Sequence, residues 1–167
     1  MKQWFFLLLV FPLCIFSQNM TNEKLQDIYS AVSDSIQGRS GSWQFYIKDI
    51  PFMSITDTNH NRMRIISPIA DSNSLNDALI KAALVANFHT ALDVKYAVSD
   101  GILWSVFIHP LKELSEDQVK DAVSQVYYAH VNFGSTFAST SLTFPGKLSN
   151  VKKEEIKKEE KTKYRKL

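Results

Sequence analysis

Residues 92–110 read LDVKYAVSDGILWSVFIHP. Leu92, Val94, Tyr96 and Val98 alternate with Asp93, Lys95 and Ala97, and after Ser99, Asp100 and Gly101 the chain resumes with Ile102, Trp104, Val106 and Ile108 alternating with Leu103, Ser105 and Phe107. Alternation with a period of two is what a strand requires. Asp-Gly between two such runs specifies a tight hairpin, because both positions tolerate positive φ. The second run carries large apolar groups on both faces, Trp104 on one and Phe107 on the other. A sheet built from it therefore needs cover on both sides.

Upstream, Trp43, Phe45 and Ile47 alternate with Gln44, Tyr46 and Lys48, which predicts a half-buried strand over residues 43–47. A second short strand is expected near 52–56, after Pro51. Turn chemistry at Asp57, Thr58, Asn59, His60 and Asn61 leads to a third at 63–67, which Pro68 stops. Between this three-stranded meander and the hairpin, Ser74 and Asp77 form a capping-box-like start. Leu75, Leu79, Ala82, Ala83, Ala86 and the neighbouring Leu84 and Phe88 then give a broad apolar helix, read as packed in the core.

Downstream, Ser115 and Gln118 make a second capping box, and Val119, Ala122, Val123, Val126, Tyr127, His130 and Phe133 keep helical spacing. Near the N-terminus Leu25, Ile28, Tyr29, Val32 and Ile36 fall on one helical face, with Gly38 and Gly41 ending that helix in a turn. The order is helix, three strands, helix, two strands, helix. That places the chain in the α+β class, an antiparallel sheet packed with helices.

The chain has 167 residues, 45% of them apolar, enough to bury a core. Residues 1–17, MKQWFFLLLVFPLCIFS, carry a lysine, an apolar run and a small residue in the order of a secretory signal peptide. The run from Trp4 to Phe16 is about 13 residues, short of the roughly 20 that span a hydrocarbon core. Cleavage near Ser17 and a periplasmic or secreted location are expected, with a retained N-terminal anchor as the alternative. Cys14, the single cysteine, excludes an internal disulfide framework and any multi-cysteine metal site.

Residues 18–146, the expected domain, hold nine basic against thirteen acidic residues, whereas 147–167 hold nine against four. The lysine-rich end reads as a solvated, disordered tail. Its charge also suits an anionic surface or an acidic partner. Nucleic acid is not expected, since the acidic domain has no stripe of basic and aromatic residues.

The element order, with residues 62–68 (RMRIISP), 84–88 (LVANF), the Asp100-Gly101 hairpin ending in His109-Pro110-Leu111 and the capped helix after it, resembles the YbjN-like proteins. Those share a fold superfamily with the type III secretion, or Tir-chaperone-like, chaperones. The resemblance covers about residues 22–144 and rests on structural motifs. It implies a sheet covered by helices, often dimeric, that binds protein segments and has no catalytic site. The export signal and the lysine-rich tail depart from that pattern.

Chemistry-bearing patterns are sparse. His60, His89, His109 and His130 lack metal-ligand spacing, and no nucleophile elbow or phosphate loop occurs, so neither enzyme activity nor a cofactor is expected. Arg62 and Arg64 point to one side of a strand and form a candidate anion-binding pair; an exposed strand face, with Asp93 and Lys95 as nearby charges, accounts for them otherwise. The leading expectation is a non-enzymatic protein-binding or chaperone-like module using Trp104, Phe107, Tyr46 and Tyr128, with a second copy or a client as partner. A small-ligand or anion-binding domain using Arg62 and Arg64 is the alternative.

Overall fold

A computed structural model of the chain describes residues 19–141. The expected signal peptide over 1–17 and the tail over 147–167 lie outside the described residues, as do Pro145 and Gly146. Within them the order is α1 (Asn22–Val32), β1 (Ser35–Arg39), β2 (Ser42–Ile47), β3 (Ile50–Asp57), β4 (Arg62–Asp71), a 3-10 turn (Ser72–Ser74), α2 (Asp77–His89), β5 (Lys95–Ser99), β6 (Ile102–His109) and α3 (Glu116–Val131). All six strands form one antiparallel sheet in the order β1-β2-β3-β4-β6-β5. The α+β class is as the sequence indicates, with one strand more than the reading counted.

That strand is β1. The first helix stops at Val32, and Ile36 belongs to β1. Ser33 caps the helix by donating both its N–H (3.1 Å) and its hydroxyl (2.7 Å) to the Tyr29 carbonyl. Asp34 then pairs with Tyr46 and the chain runs extended. Serine and aspartate compete with helix by bonding nearby backbone, and β-branched Ile36 suits a strand. The two glycines accordingly serve the β1–β2 hairpin. Gly38 has φ +126, and a Cβ there would lie 2.3 Å from the Ser42 carbonyl oxygen.

Pro68 does not stop its strand. The β3–β4 ladder ends at Met53–Ile66, so beyond it β4 is paired with β6 alone, an edge position that tolerates proline. A bulge between Pro68 and Ala70 bends the strand there. Ser74 is not the cap of α2 either: Asn76 accepts the Leu79 N–H at 2.9 Å, while the Ser74 hydroxyl donates to the Asp71 carbonyl. The Asp100-Gly101 turn has φ of 53° and 76°, and the Ser115–Gln118 capping box is closed in both directions. The last helix ends at Val131, short of Gly134, and Phe133 and Phe137 turn back onto Tyr96.

The core lies between one sheet face and two helices. Trp43, Phe45, Phe52, Met63, Ile65, Leu103 and Phe107 point to that face and are buried, with Leu25, Ile28 and Tyr29 of α1 and Val119, Val123 and Val126 of α3 over them. Tyr29 stacks on Phe45 at 4.8 Å, Phe45 stacks on Phe52 at 5.1 Å, and the Tyr29 hydroxyl lies 2.8 Å from the Ser54 hydroxyl. Each such side chain contributes roughly 1.5–3 kcal/mol by leaving water.

Helix α2 is not core-packed. Only Ala83 and Ala86 are buried, while Leu84 is 64% and Phe88 79% exposed. It hangs on the β5 edge, where the Asn87 side chain accepts the Tyr96 N–H (2.7 Å) and donates to the Tyr96 carbonyl (3.1 Å).

The Gly38 environment sets a test. Gly38→Ala should destabilise the chain by roughly 2–4 kcal/mol, since it combines positive φ with a backbone clash. Gly101→Ala, with open space around it, should cost about 1 kcal/mol. Urea denaturation midpoints compare the two, and a Gly38→Ala midpoint no lower than that of Gly101→Ala contradicts the close approach.

Candidate protein-binding surface

Helices α1 and α3 both cover the face that carries Phe45 and Phe107, so strand alternation turns the other side chains to a face over which no described helix lies. Its rows follow from the register. Met53, Ile66 and Val106 face one another across β3, β4 and β6, and Ile55, Arg64 and Ile108 form the next row. Pro68, Trp104 and Ala97 make a third, and Tyr46 pairs with Pro51. Ile55, Ile108 and Tyr46 are 45%, 56% and 44% exposed, and Met53, Ile66, Trp104 and Val106 are half-buried.

The four aromatic residues singled out from the sequence divide between three places. Trp104 and Tyr46 share the open face, three strand spacings apart, and the Trp104 indole N–H donates to the Ser99 carbonyl at 3.2 Å. Phe107 is in the core, 6% exposed, its ring parallel to that of His109 at 5.8 Å. Tyr128 is exposed on α3, in the helical layer, its ring edge against Tyr127. Alternation assigns Trp104 and Phe107 to opposite faces, and the helices choose the Phe107 side. Met53, Ile55, Ile66, Val106 and Ile108 complete the open face. Their alternation along β3, β4 and β6 is the signal that identifies them once the covered face is known.

Arg62 and Arg64 also lie on the open face, both exposed. Arg62 donates to the Asn61 carbonyl at 3.0 Å and stands opposite Asp57. The Asp57 carboxylate is taken by His60, at 2.7 Å from Nδ1 and 3.0 Å from the backbone N–H, and these bonds hold it below its ordinary pKa. Asp93 and Lys95 do not pair with the arginines. Asp93 accepts from Gln125, which also bonds Asp121, and Lys95 donates to the Leu92 carbonyl. A second apolar surface is formed by Leu84, Val85 and Phe88 of α2, of which the sequence places Leu84 and Phe88 in the core.

The four histidines lie apart: His60 in the β3–β4 turn, His89 at the end of α2, His109 at the end of β6 and His130 in α3. Among the described residues no three His, Cys, Asp or Glu side chains gather as metal ligands would.

No family model matches the chain, and no curated protein matches it in sequence. In structure it is similar to a chain of the HopA1–SchA chaperone–effector complex, with a TM-score of 0.52 and 12% identity, covering 67% of this chain and 94% of that one. At this identity the likeness is one of fold: an antiparallel sheet and helices arranged as in that chain.

His130 links α3 to the covered face of the sheet. The Ser67 hydroxyl donates to the Pro51 carbonyl at 2.8 Å, so it receives the Nδ1–H of His130 at 2.9 Å, which sets the tautomer. Burial lowers the His130 pKa. As pH falls below about 6.5 the unfolded chain takes up this proton first, so stability declines from there until the folded-state pKa is passed. His130→Asn should flatten the stability–pH curve below about pH 6.5 in denaturant titrations. A curve as steep as that of the wild type refutes the assignment.

Proposed function

We propose that the chain is a non-enzymatic, chaperone-like protein-binding module of the YbjN-like kind, which takes a polypeptide on the open face of its sheet. The observation that carries this reading is the continuous set of apolar rows from Tyr46 to Trp104 without a helix over them. Contiguous apolar groups left open on a protein surface are where partners bind. The similar fold found in a chaperone–effector complex agrees with a role in holding another protein. With residues 1–17 as an export signal, the module works in the periplasm or outside the cell. N-terminal sequencing of the protein purified from its native cells checks this, and a chain still starting at Met1 argues against cleavage.

The pairing of two copies is assigned to α2. Leu84 and Phe88 lie four apart and form one exposed stripe, the geometry of a symmetric helix pair. The two surfaces are separable by mutation. With a reduced and carboxymethylated model protein as an unfolded probe, Trp104→Glu combined with Ile108→Glu should weaken binding about tenfold in fluorescence anisotropy. Phe88→Glu should leave that affinity in place while lowering the sedimentation coefficient. Unchanged affinity in the Trp104/Ile108 variant, its fold verified by circular dichroism, overturns the reading.

A further inference from the structure

Arg39, Arg62 and Arg64 are the only arginines among the described residues, and all three stand on the open face. Arg39 faces Ser42, Ser42 faces Ile55, and Ile55 faces Arg64, so Arg39 and Arg64 flank Ser42 and Ile55 in one cross-strand row that runs on to Ile108. Three strand spacings separate them, about 14 Å. Both are exposed, and no carboxylate among the described residues pairs with either. The face therefore carries Arg39, Arg62, Arg64 and Lys95 against two carboxylates, Asp57, which His60 already holds, and Asp71 at the far end of β4, which accepts the Asn73 N–H. The described chain as a whole has an acidic excess, so this concentration of cations is local.

Resting on the protein-binding reading above, we infer that the partner is an extended segment of another protein with the pattern acid-x-apolar-x-acid. An extended chain rises about 3.3 Å per residue, so side chains at i and i+4 point the same way about 13 Å apart. That spacing matches the arginine row. The apolar side chain at i+2 then falls between Ser42 and Ile55, and Ile55 is 45% exposed. Arginine accepts a carboxylate through paired N–H groups and is more weakly hydrated than lysine, which suits it to a contact closed from water.

Other occupants fit less well. A second copy using the same face would set four cations against four, since a two-fold contact brings each patch onto itself. In the chain's own C-terminal run Glu155 and Glu159 have the spacing, but Lys157 stands between them and the run is strongly basic. A nucleic acid would meet the acidic excess of the domain and would leave Ile55 without an apolar partner. Strand addition at β5 is blocked where Asn87 already satisfies both backbone groups of Tyr96.

The test uses the full chain and three labelled peptides in fluorescence anisotropy: one with glutamate-x-valine-x-glutamate, its glutamine analogue, and one of equal composition with the two glutamates adjacent. The wild type should bind the first about tenfold tighter than the other two, a preference that shrinks as salt is raised. Arg39→Gln combined with Arg64→Gln should bind all three alike. If the three peptides bind the wild type equally, and binding still falls in Trp104→Glu, the acidic pattern is overturned and the protein-binding reading stands. Failure of all three, and of the unfolded probe, overturns both. Tighter binding of a single-stranded oligonucleotide of equal charge assigns the arginines to nucleic acid. Affinity for the acidic peptide that rises when Glu155 and Glu159 are changed to glutamine assigns the row to the chain's own tail, and affinity that falls with protein self-association assigns it to a second copy. Each of these three outcomes overturns the inference.

Discussion

Tyr29 ties the first helix to the sheet. Its ring stacks on Phe45, meets Trp43 edge-on at 5.6 Å, and its hydroxyl reaches Ser54, where burial raises its pKa so that it stays neutral. Trp43 adds a return bond, its indole N–H donating to Gln26 at 2.5 Å. These contacts fix α1 on the side of the sheet that α3 already occupies through Val119, Val123 and Val126. With both long amphipathic helices committed to one face, the period of two in every strand leaves the alternate side chains turned away from them. The open face follows from the docking of α1.

Polar groups in this core are few and each has a partner; among the described residues no buried side-chain nitrogen or oxygen lacks one. Ser54, Ser67 and Ser105 occupy helix-facing positions on three adjacent strands, where an apolar residue would be expected. Each is bonded to the helical layer: Ser54 to Tyr29, Ser67 to His130, and Ser105 to the Val126 carbonyl at 3.2 Å. Small side chains bring the helices close, and directional bonds fix their register, which apolar packing alone leaves adjustable. Gln125 does the same at the start of β5 by accepting the Asp93 N–H and donating to its carboxylate.

How much of this the sequence reveals depends on whether the deciding interaction is local. The Asp100-Gly101 hairpin and the Ser115–Gln118 cap are legible because the residues that form them are neighbours. Ile36 is not, since its position four after Val32 fits a helix and its partner Phe45 is nine residues away. For α2 the apolar residues surround the helix, so periodicity names no buried side; the backbone bonds of Asn87 to Tyr96 decide it, and they place Phe88 in solvent. The same holds for the surface. Alternation separates Trp104 from Phe107, but which of them is covered depends on where α1 and α3 dock. Of the candidate site, Trp104, Tyr46, Arg62 and Arg64 are recoverable from sequence, while their common face and the role of Arg39 emerge only from the strand register.

An exposed apolar sheet face invites aggregation, and the composition of this one shows how that liability is contained. Arg64 stands between Ile55 and Ile108, and an arginine stem covers apolar neighbours while its head stays in water. Lys95 guards the start of the β5 edge and Asn87 occupies its middle, so strand pairing between copies is obstructed at that edge. The excess of cations over carboxylates on the face keeps two such faces apart, because isologous contact would desolvate mostly like charges. The same charges favour a partner that brings carboxylates. Selectivity against self and affinity for an acidic, apolar segment thus arise from one arrangement, in which attraction to the partner and repulsion of the wrong partner use the same side chains.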